Sequence, residues 1–166
     1  MTALITMLGL LLPIHLLAAR TWSEKHRPRF EDFRVVNIWR GVAAPVRLKL
    51  PAGLEWRVDL NKEARAPVNF AGRYKFAIWM CGSNCAGGAI IDLPTGEVFQ
   101  PPLGKGGDWT VSAGMSQDTA IEFRPNSRLV IIRTGATAPP DTYYLVWEGN
   151  HFQRILFIAG RPSSQP

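Results

Sequence analysis

The sequence predicts a single, mostly β domain in which two antiparallel meanders are accompanied by one short helix. Its 166 residues include 15 Gly and 13 Pro, a frequency that favours many turns over long helices. From about residue 70 onward, short runs of β-branched and aromatic residues alternate with such turn residues. Hydrophobic residues make up 46% of the chain, which indicates a globular protein and excludes a disordered one. We expect the domain to span residues 28–160, followed by a flexible tail over 161–166.

The first part of this domain is predicted to contain the helix. An apolar run over 30–39 indicates a first strand, and the alternation of apolar and basic residues over 46–50 indicates a second. A moderately amphipathic pattern over 54–64 predicts the helix, which Pro67 ends.

Two similar strand units follow the helix. The first unit has predicted strands over 74–80, 89–93 and 97–100, and the second has them over 128–133, 143–147 and 151–158. Shorter strands are predicted over 109–112 and 119–123. The units resemble propeller blades, but a propeller needs about four blades to close. We therefore expect two blade-like units packed as a sandwich or joined in one twisted sheet, although any two β-meanders share this order of strands and turns.

The N-terminus resembles a secretory signal peptide. Residues 1–19 contain no Asp, Glu, Lys or Arg, and an apolar run over 8–14 is followed by Ala18 and Ala19 before Arg20. This pattern predicts cleavage after Ala19 and a periplasmic or secreted protein. The alternative is an uncleaved anchor that keeps the N-terminus in contact with a membrane, since no basic residue precedes the apolar run.

Cys81 and Cys85 are the only cysteines, and an even number in an exported chain suggests a disulfide. Residues four apart in a strand lie about 13 Å apart, whereas a disulfide needs Cα atoms within about 7 Å. The bond therefore requires a tight reversal, which the turn residues Gly82, Ser83 and Asn84 permit. A catalytic dithiol is the alternative, although redox pairs usually have two intervening residues. No metal site is predicted, because two sulfurs need further ligands.

The net charge of +6 is concentrated near the N-terminus. Residues 20–65 carry a net charge of +5, whereas residues 66–166 carry +1. Arginine, which predominates among the basic residues, prefers carboxylate and phosphate partners. A cell-wall or anionic-glycan binding module is one function that this charge suggests. No nucleic-acid partner is expected, since no binding motif accompanies the charge.

Several motifs resemble a family of small exported bacterial proteins of unknown function. They are the stretch Pro-Val-Asn-Phe-Ala-Gly-Arg-Tyr over 67–74, and then Trp79, Cys81-Gly82 and Cys85. The family's hallmark is similar: an Asn-Phe-Ala-Gly-x-Tyr motif followed by a Cys-Gly-x-x-Cys turn. The resemblance implies export and a β architecture, and it brings no catalytic residue. A His often stands in that family where Arg73 stands here.

The candidate binding residues lie around this motif: Asn69, Arg73, Tyr74, Ser83 and Asn84. Gly72 is expected to allow a positive φ, and Asn69 to cap or cross-link the loop. The predicted function is non-enzymatic: an inhibitor or immunity-type protein that binds a protein or cell-envelope partner through the hairpin tip. A purely structural turn is the alternative.

Catalysis has little support in the sequence. No Gly-x-Ser-x-Gly elbow surrounds any serine, and no catalytic residue or cofactor is predicted. The alternative is a small envelope hydrolase in which His151 acts as a base oriented by Asp92 or Asp141.

Overall fold

The computed structural model describes residues 21–47, 60–82, 85–99, 121–134 and 139–160. Within these ranges the chain forms two antiparallel sheets, one 3₁₀ turn at Phe30–Phe33 and one short helix, α1, at Leu60–Ala64. The mostly β fold built from antiparallel meanders is therefore confirmed. The first sheet contains, in order, β1 (Tyr74–Gly82), β2 (Cys85–Asp92) and β3 (Val98–Phe99). The second contains β4 (Ile121–Phe123), β5 (Leu129–Thr134), β6 (Asp141–Trp147) and β7 (Phe152–Ile158).

Side chains from the two sheets share one core cluster. Because successive side chains of a strand point to opposite faces, the strands contribute alternate residues to this core, such as Val130 and Ile132 of β5 and Leu145 and Trp147 of β6. Its buried members include Phe70 and Trp147, whose ring centroids lie 6.3 Å apart. Trp147 is 1% exposed and contacts four aromatic rings, those of Phe70, Tyr74, Phe99 and Phe152.

Both outer sheet faces are also covered. Phe30 of the 3₁₀ turn packs on the outer face of the second sheet, against Leu129, Ile131, Tyr144 and Val146. On the outer face of the first sheet, Ala64 of α1 packs with Ala77, Ile91 and Leu93. Sheets covered on both faces need apolar residues at successive strand positions, as in the Leu-Val-Ile-Ile run of β5.

Residues 29–47, here called the strap, connect these two outer layers. Backbone N–H groups of the strap donate hydrogen bonds to turns of both sheets. Val35 donates to the carbonyl of Asn126 at 2.8 Å, and Trp39 donates to that of Gly72 at 2.7 Å. Gly72 has a φ of +80°, and a Cβ there would lie 2.6 Å from Cγ1 of Val35. Glycine is therefore required where the strap crosses this turn.

The predicted first strand over 30–39 is wrong. Its first residues form the 3₁₀ turn, which begins where the Asp32 carboxylate accepts a hydrogen bond from the backbone N–H of Arg29 at 2.9 Å. The following residues form a single bridge, between Arg34 and Ser127. The strap crosses from one sheet to the other, so it meets turns and not a neighbouring strand along its length.

The other element boundaries agree more closely with the sequence. Arg47 makes one parallel bridge to Glu97, and the rest of the predicted strand over 48–50 lies outside the described residues. The helix α1 falls within the predicted range, of which 54–59 is also undescribed. The segments 1–19, 109–112 and 161–166 are likewise outside the description. Among the residues described, no helix is long and apolar enough to cross a membrane.

Candidate functional site at the β1 edge

The β1–β2 hairpin carries most of the residues that the sequence singled out. Tyr74 pairs with Asp92 at its base, and Gly82 pairs with Cys85 at its tip. Eight residue steps of about 3.4 Å separate these ends, or about 27 Å. Asn69, Arg73 and Tyr74 therefore lie at the base, whereas Ser83 and Asn84 belong to the tip, outside the described ranges. Of the five candidate residues, the structure therefore describes only these three, Asn69, Arg73 and Tyr74.

The reversal that the cysteine spacing requires is present in the backbone. Cys81 is the next-to-last residue of β1, at a register shift between Met80 and Gly82, and Cys85 begins β2 opposite Gly82. The side chains of both cysteines are outside the described set, so the disulfide stays a prediction.

The side chain of Asn69 makes the backbone hydrogen bonds that a neighbouring strand would make to β1. Its side-chain Oδ1 accepts a hydrogen bond from the backbone N–H of Phe76 at 2.7 Å, and its Nδ2 donates to the carbonyl of Phe76 at 3.0 Å. The backbone of Tyr74 is bonded on the same side by the backbone of Asn69 and Phe70. The Asn69 amide thus uses both its oxygen and its nitrogen within the chain, as a cross-link requires.

We predict that Asn69→Ala lowers the free energy of unfolding by about 1–3 kcal/mol, because it leaves two partly buried backbone groups of Phe76 without partners. Urea unfolding measures this difference. Asn37→Ala is the matched control, since Asn37 is exposed on the strap, and it should change stability by less than about 0.5 kcal/mol. Equal urea midpoints for Asn69→Ala and the wild type would contradict the role of this amide.

Arg73 and Tyr74 are also engaged within the chain. Arg73, whose side chain is 49% exposed, forms an ion pair with the buried Asp92 and lies over the Tyr74 ring. Burial disfavours the charge on Arg73, but the nearby Tyr74 and Asp92 outweigh that penalty and raise the pKa of Arg73 above its ordinary value. The Tyr74 hydroxyl donates to the carbonyl of Gly149 at 3.3 Å. These contacts hold the base of the hairpin in place.

Beyond Asn69, the edge of β1 has no backbone partner among the described residues. In an antiparallel strand, alternate residues direct both backbone groups to the same side. The backbone N–H and carbonyl groups of Tyr74 and Phe76 point away from β2. Those of Ile78, two residues further on, therefore point the same way. None of the described residues makes a backbone hydrogen bond to Ile78 on that side, and β1 has β2 as its only strand neighbour among them. We call this stretch, from Ile78 towards the tip, the open edge.

Ile78 is also exposed as a side chain. Phe76, two residues earlier, is buried, whereas 41% of Ile78 is accessible to solvent. A strand edge that combines free backbone groups with an exposed apolar side chain is suited to pairing with another strand. The sequence could not reveal this feature, because 74–80 is an uninterrupted strand pattern in which no residue is marked as exposed.

Comparisons with protein-family models, curated proteins and solved structures yield no match. The resemblance drawn from the Asn-Phe-Ala-Gly and cysteine motifs therefore stays a prediction.

The residues suggested for a hydrolase each contact a different partner and do not contact one another in the described structure. His151 is exposed, and its Nδ1 lies 2.6 Å from Oδ1 of Asn150. Asp92 is paired with Arg73, and Asp141 accepts a hydrogen bond from the backbone N–H of Gly160 at 2.6 Å. Neither aspartate orients His151 in the described structure, and the described residues contain no cluster of His, Cys, Asp or Glu suited to a metal ion.

Proposed function

We propose that this chain is a non-enzymatic, exported envelope protein that binds a protein partner by accepting one of its strands at the open edge. The observation that carries the proposal is the combination at Ile78 of a backbone edge without a partner in the described part of the chain and a 41% exposed side chain. An added strand would bond to the outward backbone groups and cover Ile78. This mode of binding fits an inhibitor or immunity-type protein.

The location of the open edge supports a projecting role for the hairpin. Among the described side chains, buried core residues of β1 and β2 lie towards the base, such as Phe76, Ala77 and Ile90, whereas Trp79 is only partly buried. Within the described residues, β3 pairs with Ile90 and Ile91 of β2. A disulfide between Cys81 and Cys85 would hold the tip in one shape and reduce the entropy that binding must overcome.

We predict that Ile78→Lys weakens partner binding at least tenfold, because a lysine on a strand edge opposes pairing and removes the apolar contact. Protein partners would be trapped by photo-crosslinking from Asn84 in cells that secrete the protein, identified, purified and titrated by calorimetry. Val36→Lys is the matched control, since Val36 is 81% exposed on the strap.

A second variant separates the backbone edge from the side chain. Ile78→Pro removes the outward N–H group while the bonds from Lys75, Ala77 and Trp79 to β2 remain. It should also weaken binding at least tenfold without unfolding the domain, as circular dichroism would verify. A partner that binds both Ile78 variants as tightly as the wild type would refute strand addition.

A further inference from the structure

A cleft at the outer face of the first sheet has properties that the open edge does not explain. It lies between strap residues 38–43 and residues 64–68, which end and follow α1, and Leu93 also lines it. Its volume is about 680 Å³, within the range of about 300–1,000 Å³ that is usual for ligand sites. Apolar side chains form most of its wall.

Trp39 is the aromatic wall of this cleft, and its position is fixed. Its backbone N–H is bonded to Gly72, and its ring packs on the cluster that contains Ala64 and Leu93. A Cβ on Gly41 would lie 2.6 Å from Cζ2 of the Trp39 ring, so glycine is required there for the ring to occupy this place. Val42, at the same cleft, is 96% exposed and offers a second apolar surface.

Two arginines give the cleft a positive charge. Arg40 and Arg65 both line it, both are exposed, and neither forms an ion pair with a described residue. The described arginines from Arg73 to Arg133 differ, because each has a carboxylate partner, namely Asp92, Glu31, Glu148 or Glu122. Glu63, close to Arg65 in sequence, is paired with Lys75 at 3.7 Å.

The strap also presents free backbone groups here. The N–H groups of residues 40–43 donate to no described residue, and their carbonyl groups accept from none, whereas Trp39 and Ala44 on either side are bonded. A peptide can supply both donors and acceptors to these groups, whereas an acyl chain can supply neither. Arginine side chains, in turn, match the planar carboxylates of Asp and Glu.

From this combination we infer that the cleft binds an acidic peptide segment of a partner protein. An apolar side chain of the peptide lies against Trp39 and Val42, and its carboxylates pair with Arg40 and Arg65. The site is separate from the open edge, so it does not depend on the function proposed above.

The test uses a fluorescein-labelled peptide in which Glu and Leu alternate, with fluorescence anisotropy as the measurement. Its matched control is the same peptide with Gln in place of Glu. The wild-type protein should bind the Glu peptide at least tenfold more tightly than the Gln peptide, and binding should weaken as salt is raised. The double variant Arg40→Gln/Arg65→Gln should lose at least tenfold in affinity, because it removes both charge-assisted contacts.

Two further variants make the result specific. Arg154→Gln removes an exposed arginine of β7 that has no described ion pair, and it should bind the peptide as the wild type does. Ile78→Lys should also leave peptide binding unchanged, which distinguishes this site from the open edge. Circular dichroism would verify that each variant is folded.

Vesicles of phosphatidylglycerol and dextran sulfate provide the competing ligands. Equal affinity of the wild type and the Arg40/Arg65 double variant for the Glu peptide would overturn the proposal. It would also be overturned if the arginine-dependent binding were seen with the vesicles or the polysaccharide and not with the Glu peptide.

Discussion

Replacing Trp147 with alanine is expected to lower the free energy of unfolding by about 3–5 kcal/mol, the largest effect of any change considered for this protein. Trp147 is 1% exposed and touches four other aromatic rings in the core shared by the two sheets. Its removal would leave a cavity bordered by residues of both sheets. For a domain of this size, the melting temperature should fall by about 10–20 °C.

Trp147→Phe provides a sharper comparison at the same position. The indole Nε1 of Trp147 is buried and has no hydrogen-bond partner among the described residues. Phenylalanine keeps part of the aromatic contact and removes this unsatisfied group, so its cost should be less than half that of alanine. Calorimetry of both variants, with Val36→Ala as an exposed control, measures the difference. Equal losses for Phe and Ala would contradict the central packing role assigned to this ring.

Replacing Arg73 with alanine is expected to cost about 2–3 kcal/mol. Breaking a buried ion pair costs about 3–5 kcal/mol, mainly because one charge is left without a partner. Asp92 is almost fully buried, but the half-exposed side chain of Arg73 is screened by water, which lowers the expected effect. Oδ1 of Asp92 already has no partner among the described residues, so the loss of Arg73 leaves the whole carboxylate unpaired.

A double variant and a matched pair test this interpretation. Arg73→Ala/Asp92→Asn should recover part of the lost stability, because the unpaired charge is gone. Arg128→Ala, which breaks the more exposed pair with Glu148, should cost less than about 1 kcal/mol. Denaturant unfolding gives all three values, and the ion pair is not important if Arg73→Ala and Arg128→Ala cost the same.

The pKa of Arg73 sets the pH range of this effect. Because that pKa is raised, the stabilisation by the Arg73 charge is fully present below its ordinary value and is lost only as the pH rises through the raised one. The difference between the wild type and Arg73→Ala should therefore stay constant from neutral pH well into the alkaline range.

The meanders could be predicted from sequence because their signals are local. Apolar, β-branched runs such as 74–80 and 128–133 lie between turn residues, and each strand pairs with the next along the chain. The sequence predicts that β2 begins at residue 89, four residues after its observed start at Cys85, because the glycines at 87 and 88 have a low strand propensity. They nevertheless pair with Trp79 and Ile78.

The strap and the candidate sites depend on contacts between distant residues, which local patterns do not contain. The run over 30–39 has the composition of a strand, but whether it pairs depends on what lies beside it. The sequence predicts a cross-link by Asn69, but it does not predict that the partner is the backbone of Phe76. Asp92 gave no sign of burial, and Arg40 and Arg65 come together only because the strap returns to α1.

The strap also has a consequence for the order in which the chain folds. The Ser127 hydroxyl donates to the carbonyl of Phe30 across 97 positions of sequence, whereas the pairs within each meander join near neighbours. Closing so long a loop has a high entropic cost, and contacts of this kind form slowly. We expect the meanders to form first and the strap to attach last. During synthesis, which starts at the N-terminus, the strap would therefore stay unattached until the turn before β5 had formed.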